Sequence, residues 1–134
     1  MSTVRFTGLL LGILITLPSA GIEARQKPSS AHPAGAAHRA FVMAVADDDL
    51  PQARSLMARA LIASLPKLGG LAKVCAGRVG PGKILGVQTV STEVTGNTAV
   101  VSYRFQLADG SSRFGKEPFV LEDGAWKLDV KGAR

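Results

Sequence analysis

The sequence predicts an α+β domain in which N-terminal helices pack on one face of a curved four-stranded antiparallel sheet. Three observations carry that prediction. Residues 98–108 alternate, with Ala99, Val101, Tyr103, Phe105 and Leu107 on one side and Thr98, Val100, Ser102, Arg104 and Gln106 on the other. A period of two belongs to a strand with one buried face. Asp123-Gly124 separates two further strand-like stretches, 119–122 and 125–130, and both residues tolerate the positive φ of a type I′ hairpin turn. Ahead of every strand, Leu50, Ala53, Met57, Ala60, Leu61, Ser64 and Leu65 recur at helical spacing, an apolar stripe able to cover a sheet. Helices first and consecutive strands afterwards is the α+β order.

At 134 residues the chain suffices for one domain with a modest core. Near its start, Arg5 precedes an apolar run, 6–17, long enough for a signal peptide and short of the roughly 18–20 residues that span a bilayer. Small residues at Ser19, Ala20, Gly21 and Ala24 supply cleavage sites. Residues 1–24 are therefore expected to be a signal peptide and the mature protein to be periplasmic or secreted. Pro18 and Ile22, at the minus-three positions of two such sites, leave an uncleaved membrane anchor as the alternative. Cys75 is the sole cysteine, so no lipid-bearing cysteine follows the run. Residues 25–37, rich in Ala, Pro, Ser and Gly, read as a flexible linker. The domain is expected to occupy 38–131.

Within it, Phe41, Val42 and Val45 form a short helical pattern that stops at Asp47-Asp48-Asp49. Asp48 or Asp49 then caps the next helix, with Pro51 in its first turn and Pro66 at its end. Gly69-Gly70 separates it from a brief helix at 71–76, and a loop at 77–83 leads into the first strand, 84–94. Gly96-Asn97 turns the chain into the meander. A two-residue loop at Asp123-Gly124 sets Leu121 opposite Trp126 and Phe119 opposite Leu128. The hairpin before it is in conflict. A two-residue loop at Asp109-Gly110 would pair Phe114 with Phe105 inside, yet Phe119 has the opposite parity. Either a bulge interrupts 115–118, or the loop has three residues and Phe114 points outward.

Phe41 with Ala44, ADDDLPQA at 46–53, GNTAVVSYRF at 96–105 and VLEDGAWKLDV at 120–130 together resemble the small exported bacterial domains of unknown function in the nuclear-transport-factor-two-like, or cystatin-like, superfamily. The resemblance covers 39–130. It implies a curved sheet wrapping a long helix, with a pocket in the open end of the cone, and it implies no catalytic residue and no cofactor. The short extra strand that many members place among their helices is missing from the pattern here.

Chemistry-bearing motifs are few. Gly77 to Lys83 matches the phosphate-cradling G-x-x-x-x-G-K loop, but Ile84 stands where a Ser or Thr should hold magnesium, and a strand follows where a helix is needed. Asp47-Asp48-Asp49 lacks the alternate spacing of a calcium loop and reads as helix capping, so no metal site is expected. His32 and His38 fall in or beside the linker and are not expected to meet a pocket carboxylate. Tyr103, Lys116 and Glu117 are the candidate ligand-binding residues of the cone interior. Tyr103 and Trp126 are expected as core aromatics with polar atoms at the rim, and Cys75 as a buried thiol or an intermolecular bridge.

Charge is uneven along the chain. Residues 50–83 hold Arg54, Arg59, Lys67, Lys73, Arg78 and Lys83 and no acid, whereas 25–49 and 84–134 each balance to zero. Arg54, Arg59, Lys73 and Arg78 are therefore the candidate surface for an anionic envelope partner. A small apolar ligand is the other partner expected, with the protein a monomer or homodimer. No nucleic acid is expected, because no aromatic stacking platform accompanies the cations. The function these features favour is a non-catalytic ligand- or partner-binding module of the envelope. A small pocket enzyme of the isomerase or cyclase type and a structural dimerisation domain are the alternatives.

Overall fold

The computed structural model describes residues 32–131; the expected signal peptide and residues 25–31 of the expected linker lie outside them. Helix α1, Pro33–Ala46, starts with Pro33 in its first turn and with His32 as cap, the imidazole Nδ1 accepting from the Ala34 amide at 3.0 Å. Residues 33–37 thus belong to the domain and not to the linker. The small residues that look like linker composition have a packing role. Ala34 and Gly35 are buried, and a side chain at Gly35 would press on Thr89 of the sheet. Asp49 caps α2, Leu50–Ser55, by accepting from the Gln52 amide.

The single helix expected from the 50–65 stripe is broken. α2 ends at Ser55, α3 spans Arg59–Ser64, and a 3-10 turn follows at Leu65–Leu68. At the break, Met57 bridges Leu128 in parallel. The Ala58 amide donates to the Leu128 carbonyl and the Leu128 amide to the Leu56 carbonyl, each at 2.8 Å. Backbone pairing with the edge of the sheet replaces intrahelical bonds, and no Gly or Pro marks the place. Ala53, Met57, Leu61 and Leu65 remain buried as the stripe requires, while Ala60 is exposed. Left-handed Gly69 reverses the chain into α4, Leu71–Val79, which runs three residues beyond its expected end.

Strands β1, Ile84–Thr95, β2, Thr98–Leu107, β3, Ser112–Glu122, and β4, Ala125–Leu128, form one antiparallel sheet in sequence order. Both expected pairs of the last hairpin, Leu121 with Trp126 and Phe119 with Leu128, are present. The β2–β3 loop has three residues, Ala108 to Gly110, with Gly110 left-handed and the Leu107 amide donating to the Ser111 carbonyl. Pairing of β2 with β3 runs without a register shift, so Phe114 faces Arg104 on the outer side and is 67% exposed. Ala99, Val101, Tyr103 and Phe105 are buried on the inner side, as alternation predicts. Helix α1 lies across that side, touching β1, β2 and β4. Trp126 is half-buried at the margin, its ring edge-on to His32 at 5.4 Å.

Candidate functional site

The polar groups of the interior gather where α4 ends over β3. Arg78, in the last turn of α4, donates from Nη1 to Glu117 Oε1 at 2.7 Å and from Nη2 to the Asp129 carbonyl at 2.6 Å. Arg113, on β3, donates to the Val79 and Pro81 carbonyls at 2.6 and 2.7 Å, and its guanidinium lies 5.5 Å from the centre of the Phe105 ring. The Val79 carbonyl is one of the groups a helix leaves unpaired at its C-terminal end, where positive charge is favourable. Two guanidiniums therefore tie α4 to β3 and to the segment after β4.

Glu117 is 1% exposed, and the Arg78 side chain 9%. Burial pushes the Glu117 carboxyl up, against the pull of Arg78 and then Lys131. A charge-assisted bond between buried partners is strong, but desolvation of both ions offsets most of it. Beside this pair Tyr103 faces Gly115, and its ring occupies the space a side chain at that position would fill. Burial, then Glu117, pushes its phenol up, while Arg113 and Arg78 oppose. His38 closes the cluster, its ring 4.6 Å from Tyr103 and stacked on Phe105 at 6.0 Å. Its Nδ1 is buried without a hydrogen-bond partner among the described residues, and burial, then Arg39, lowers its pKa to about 4.

Tyr103 and Glu117 thus lie where the inner row was expected. Lys116 does not: it is exposed and faces Ser102 on the outer side, because the uninterrupted β2–β3 register leaves no bulge to turn it inward. Nor do the four basic residues form one surface. Arg78 is withdrawn into the interior by Glu117. Arg59 pairs with Asp123, and its amide donates to the Glu122 carboxylate at 3.3 Å. Arg54 and Arg59 share a cleft of about 310 Å³ with Glu122, Asp123 and Lys127. Lys73 and Arg78 share a groove of about 360 Å³ with Leu68, Val74, Val130 and Lys131. Acids from the sheet therefore neutralise two of the cations that the linear charge pattern segregates.

His38, expected in or beside the linker, is buried in the interior instead, and Arg113 and Lys131 carry no signal in the sequence. His38 stands three and four residues before Phe41 and Val42, on their helical face, a signal masked by its Ala-rich surroundings. Arg113 has the parity of Glu117 and Phe119, which becomes informative only once the loop length is known. Cys75 is buried in α4 as the expected thiol, and burial pushes its pKa up. On the outer side, Val90, Val100 and Phe114 are exposed.

A two-part architecture of helices ending over one face of an in-order four-stranded meander has counterparts among solved structures. A nuclear-transport-factor-two-like protein of Campylobacter jejuni, provisionally named a transpeptidase, superposes with a TM-score of 0.55 at 12% identity, over 70% of this chain and 94% of the other. The chain has the nuclear-transport-factor-two-like fold. A SEC-C-motif protein of Rhodopseudomonas palustris superposes with a TM-score of 0.52 at 19% identity, over 81% of this chain and 83% of that one. No protein-family model matches the sequence, and no curated protein matches it either. At these identities the likeness is one of nuclear-transport-factor-two-like fold, and the side chains of the site must speak for themselves.

Proposed function

We propose that this nuclear-transport-factor-two-like chain is an exported envelope module that binds a ligand or partner without catalysing a reaction. The observation that carries the reading is the commitment of the interior charges to the fold. Arg78 and Glu117 hold each other, and Arg113 holds the end of α4. A general acid or base needs a proton-bearing group free to meet a substrate, and these groups are bound into the structure. The C. jejuni neighbour's provisional name implies an acyl-transfer nucleophile. Cys75 is unsuited to that role here, since its thiol is buried and held protonated.

Export rests on the apolar run 6–17 after Arg5 and on the small residues that follow. Native mass spectrometry of protein taken from the periplasm tests both parts. The expected result is a mature chain starting between Gly21 and Arg25 that carries a non-covalent ligand or a second protein; a cytoplasmic chain beginning at Met1 with nothing bound overturns the reading. A small pocket enzyme is favoured by one observation, the Nδ1 of His38, which lies beside Tyr103 and has no partner among the described residues. Loss of a measured turnover in His38→Phe with the fold intact would establish it.

A further inference from the structure

Gly77 is the residue that neither packing nor backbone explains. It lies inside α4, where glycine is a poor helix former, and its φ is not in the left-handed region. A Cβ built on it meets nothing within 4 Å, so no neighbour demands its absence. Gly77 lines the α4 groove, where a side chain would project into open space. That groove, of about 360 Å³, runs between α4 and the segment after β4, near the lower end of the roughly 300–1,000 Å³ of small-molecule sites.

Its surface divides in two. Leu68, Val74 and Val130 give an apolar floor, and Leu68 is 45% exposed among the described residues. Among the described residues, the charged groups of the lining are Lys73, Arg78 and Lys131, and no carboxylate lines it. Both Nη atoms of Arg78 are already engaged, by Glu117 and by the Asp129 carbonyl, so Arg78 is a fixed post in the wall. Lys73 and Lys131 are exposed, and neither forms an ion pair or hydrogen bond among the described residues. Apolar floor and cationic rim are complementary to one kind of molecule, a single apolar chain ending in an anion.

We propose that this groove binds a single-chain carboxylate of the fatty-acid type, its alkyl chain on Leu68, Val74 and Val130 beside Gly77 and its head between Lys73 and Lys131. The inference deepens the binding-module reading and rests on it. A groove of about 360 Å³ matches one alkyl chain in size. Gly77 then has a reason: helix stability is given up for space.

Dodecanoate, below its micelle concentration, is the probe, followed by calorimetry and by amide chemical shifts on the full mature chain. Saturable binding is expected, with shifts confined to α4 and to Val130 and Lys131. Lys73→Glu/Lys131→Glu should weaken it by about tenfold or more, since about 1.4 kcal/mol corresponds to each factor of ten. Dodecanol and acetate, which each lack one half of the ligand, should bind more weakly than dodecanoate. Gly77→Leu should abolish binding, while Gly77→Ala raises the melting midpoint, which shows that the position serves the ligand and not the fold. Equal affinity for dodecanol, indifference to the lysine reversals, or association with phosphatidylglycerol vesicles that dodecanoate fails to displace would each overturn the proposal. If dodecanoate does not bind but periplasmic protein carries another molecule, this inference falls and the binding-module reading stands; if neither is found, both fall.

Discussion

Acid should unfold this domain through His38. The imidazole is buried against Tyr103 and Phe105, and its pKa falls from the ordinary value of 6.5 to about 4. In the unfolded chain it takes a proton at the ordinary value, so the unfolded state binds more protons between those limits. The stability contributed by neutral His38 is therefore complete above 6.5 and is lost as pH falls toward 4. At 1.36 kcal/mol per unit the ceiling is about 3 kcal/mol, and the loss between about pH 7 and about pH 4.5 is about 2.5 kcal/mol. Glu117 acts in the opposite sense, since its raised carboxyl pKa makes stability fall as pH rises through it. It does so equally in a His38→Phe variant, where a ring of similar shape replaces the imidazole and its orphaned nitrogen. Urea unfolding followed by Trp126 fluorescence at both pH values isolates the difference. The wild type should lose about 1–2 M more in midpoint than His38→Phe on acidification, for slopes of about 1–3 kcal/mol/M. Parallel losses in the two proteins would show that His38 is solvated or partnered, and the interior cluster would have to be redrawn.

Gly115→Ala should cost about 1–3 kcal/mol, because its new methyl collides with the Tyr103 ring; in a Tyr103→Leu background the cost should largely vanish, as thermal melts of the four proteins would reveal. Trp126→Ala should cost about 2 kcal/mol, below the about 3–5 kcal/mol of a fully buried aromatic, because Trp126 is half-buried. An unchanged midpoint would remove it from the packing altogether. Phe114→Lys should change stability by no more than about 0.5 kcal/mol, being outward and exposed. Sedimentation of the same variant shows whether the exposed Val90, Val100 and Phe114 join two copies, since a dimer built on that face should come apart.

Strand parity was legible because a period of two survives any error in loop length within one strand, and β2 and the β3–β4 hairpin follow it residue by residue. Loop length itself was not: Asp109-Gly110 suits a two-residue turn as well as the three-residue one, and only the parity clash between Phe114 and Phe119 pointed to the choice. The break at Met57 left no mark, since its cause is the backbone of Leu128, some seventy residues away in sequence. Charge was misleading for a similar reason. Arg59 and Arg78 meet Asp123 and Glu117 only once the meander has brought β3 beneath the helices. His38 was lost to its composition: Ala-rich surroundings read as linker, although its spacing to Phe41 and Val42 sets it on the buried face of α1.

Whether the interior charges serve the fold is decided by a double-mutant cycle on Arg78 and Glu117, read by urea unfolding at neutral pH. Removing either partner alone strands a buried charge and should cost about 3–5 kcal/mol, whereas Arg78→Met/Glu117→Leu should recover much of that, with a coupling of about 1–3 kcal/mol. Additive, small losses would contradict the claim, and so would a stable Glu117→Gln protein that has lost a chemical activity of the wild type, because Glu117 would then be working on a substrate and not on Arg78.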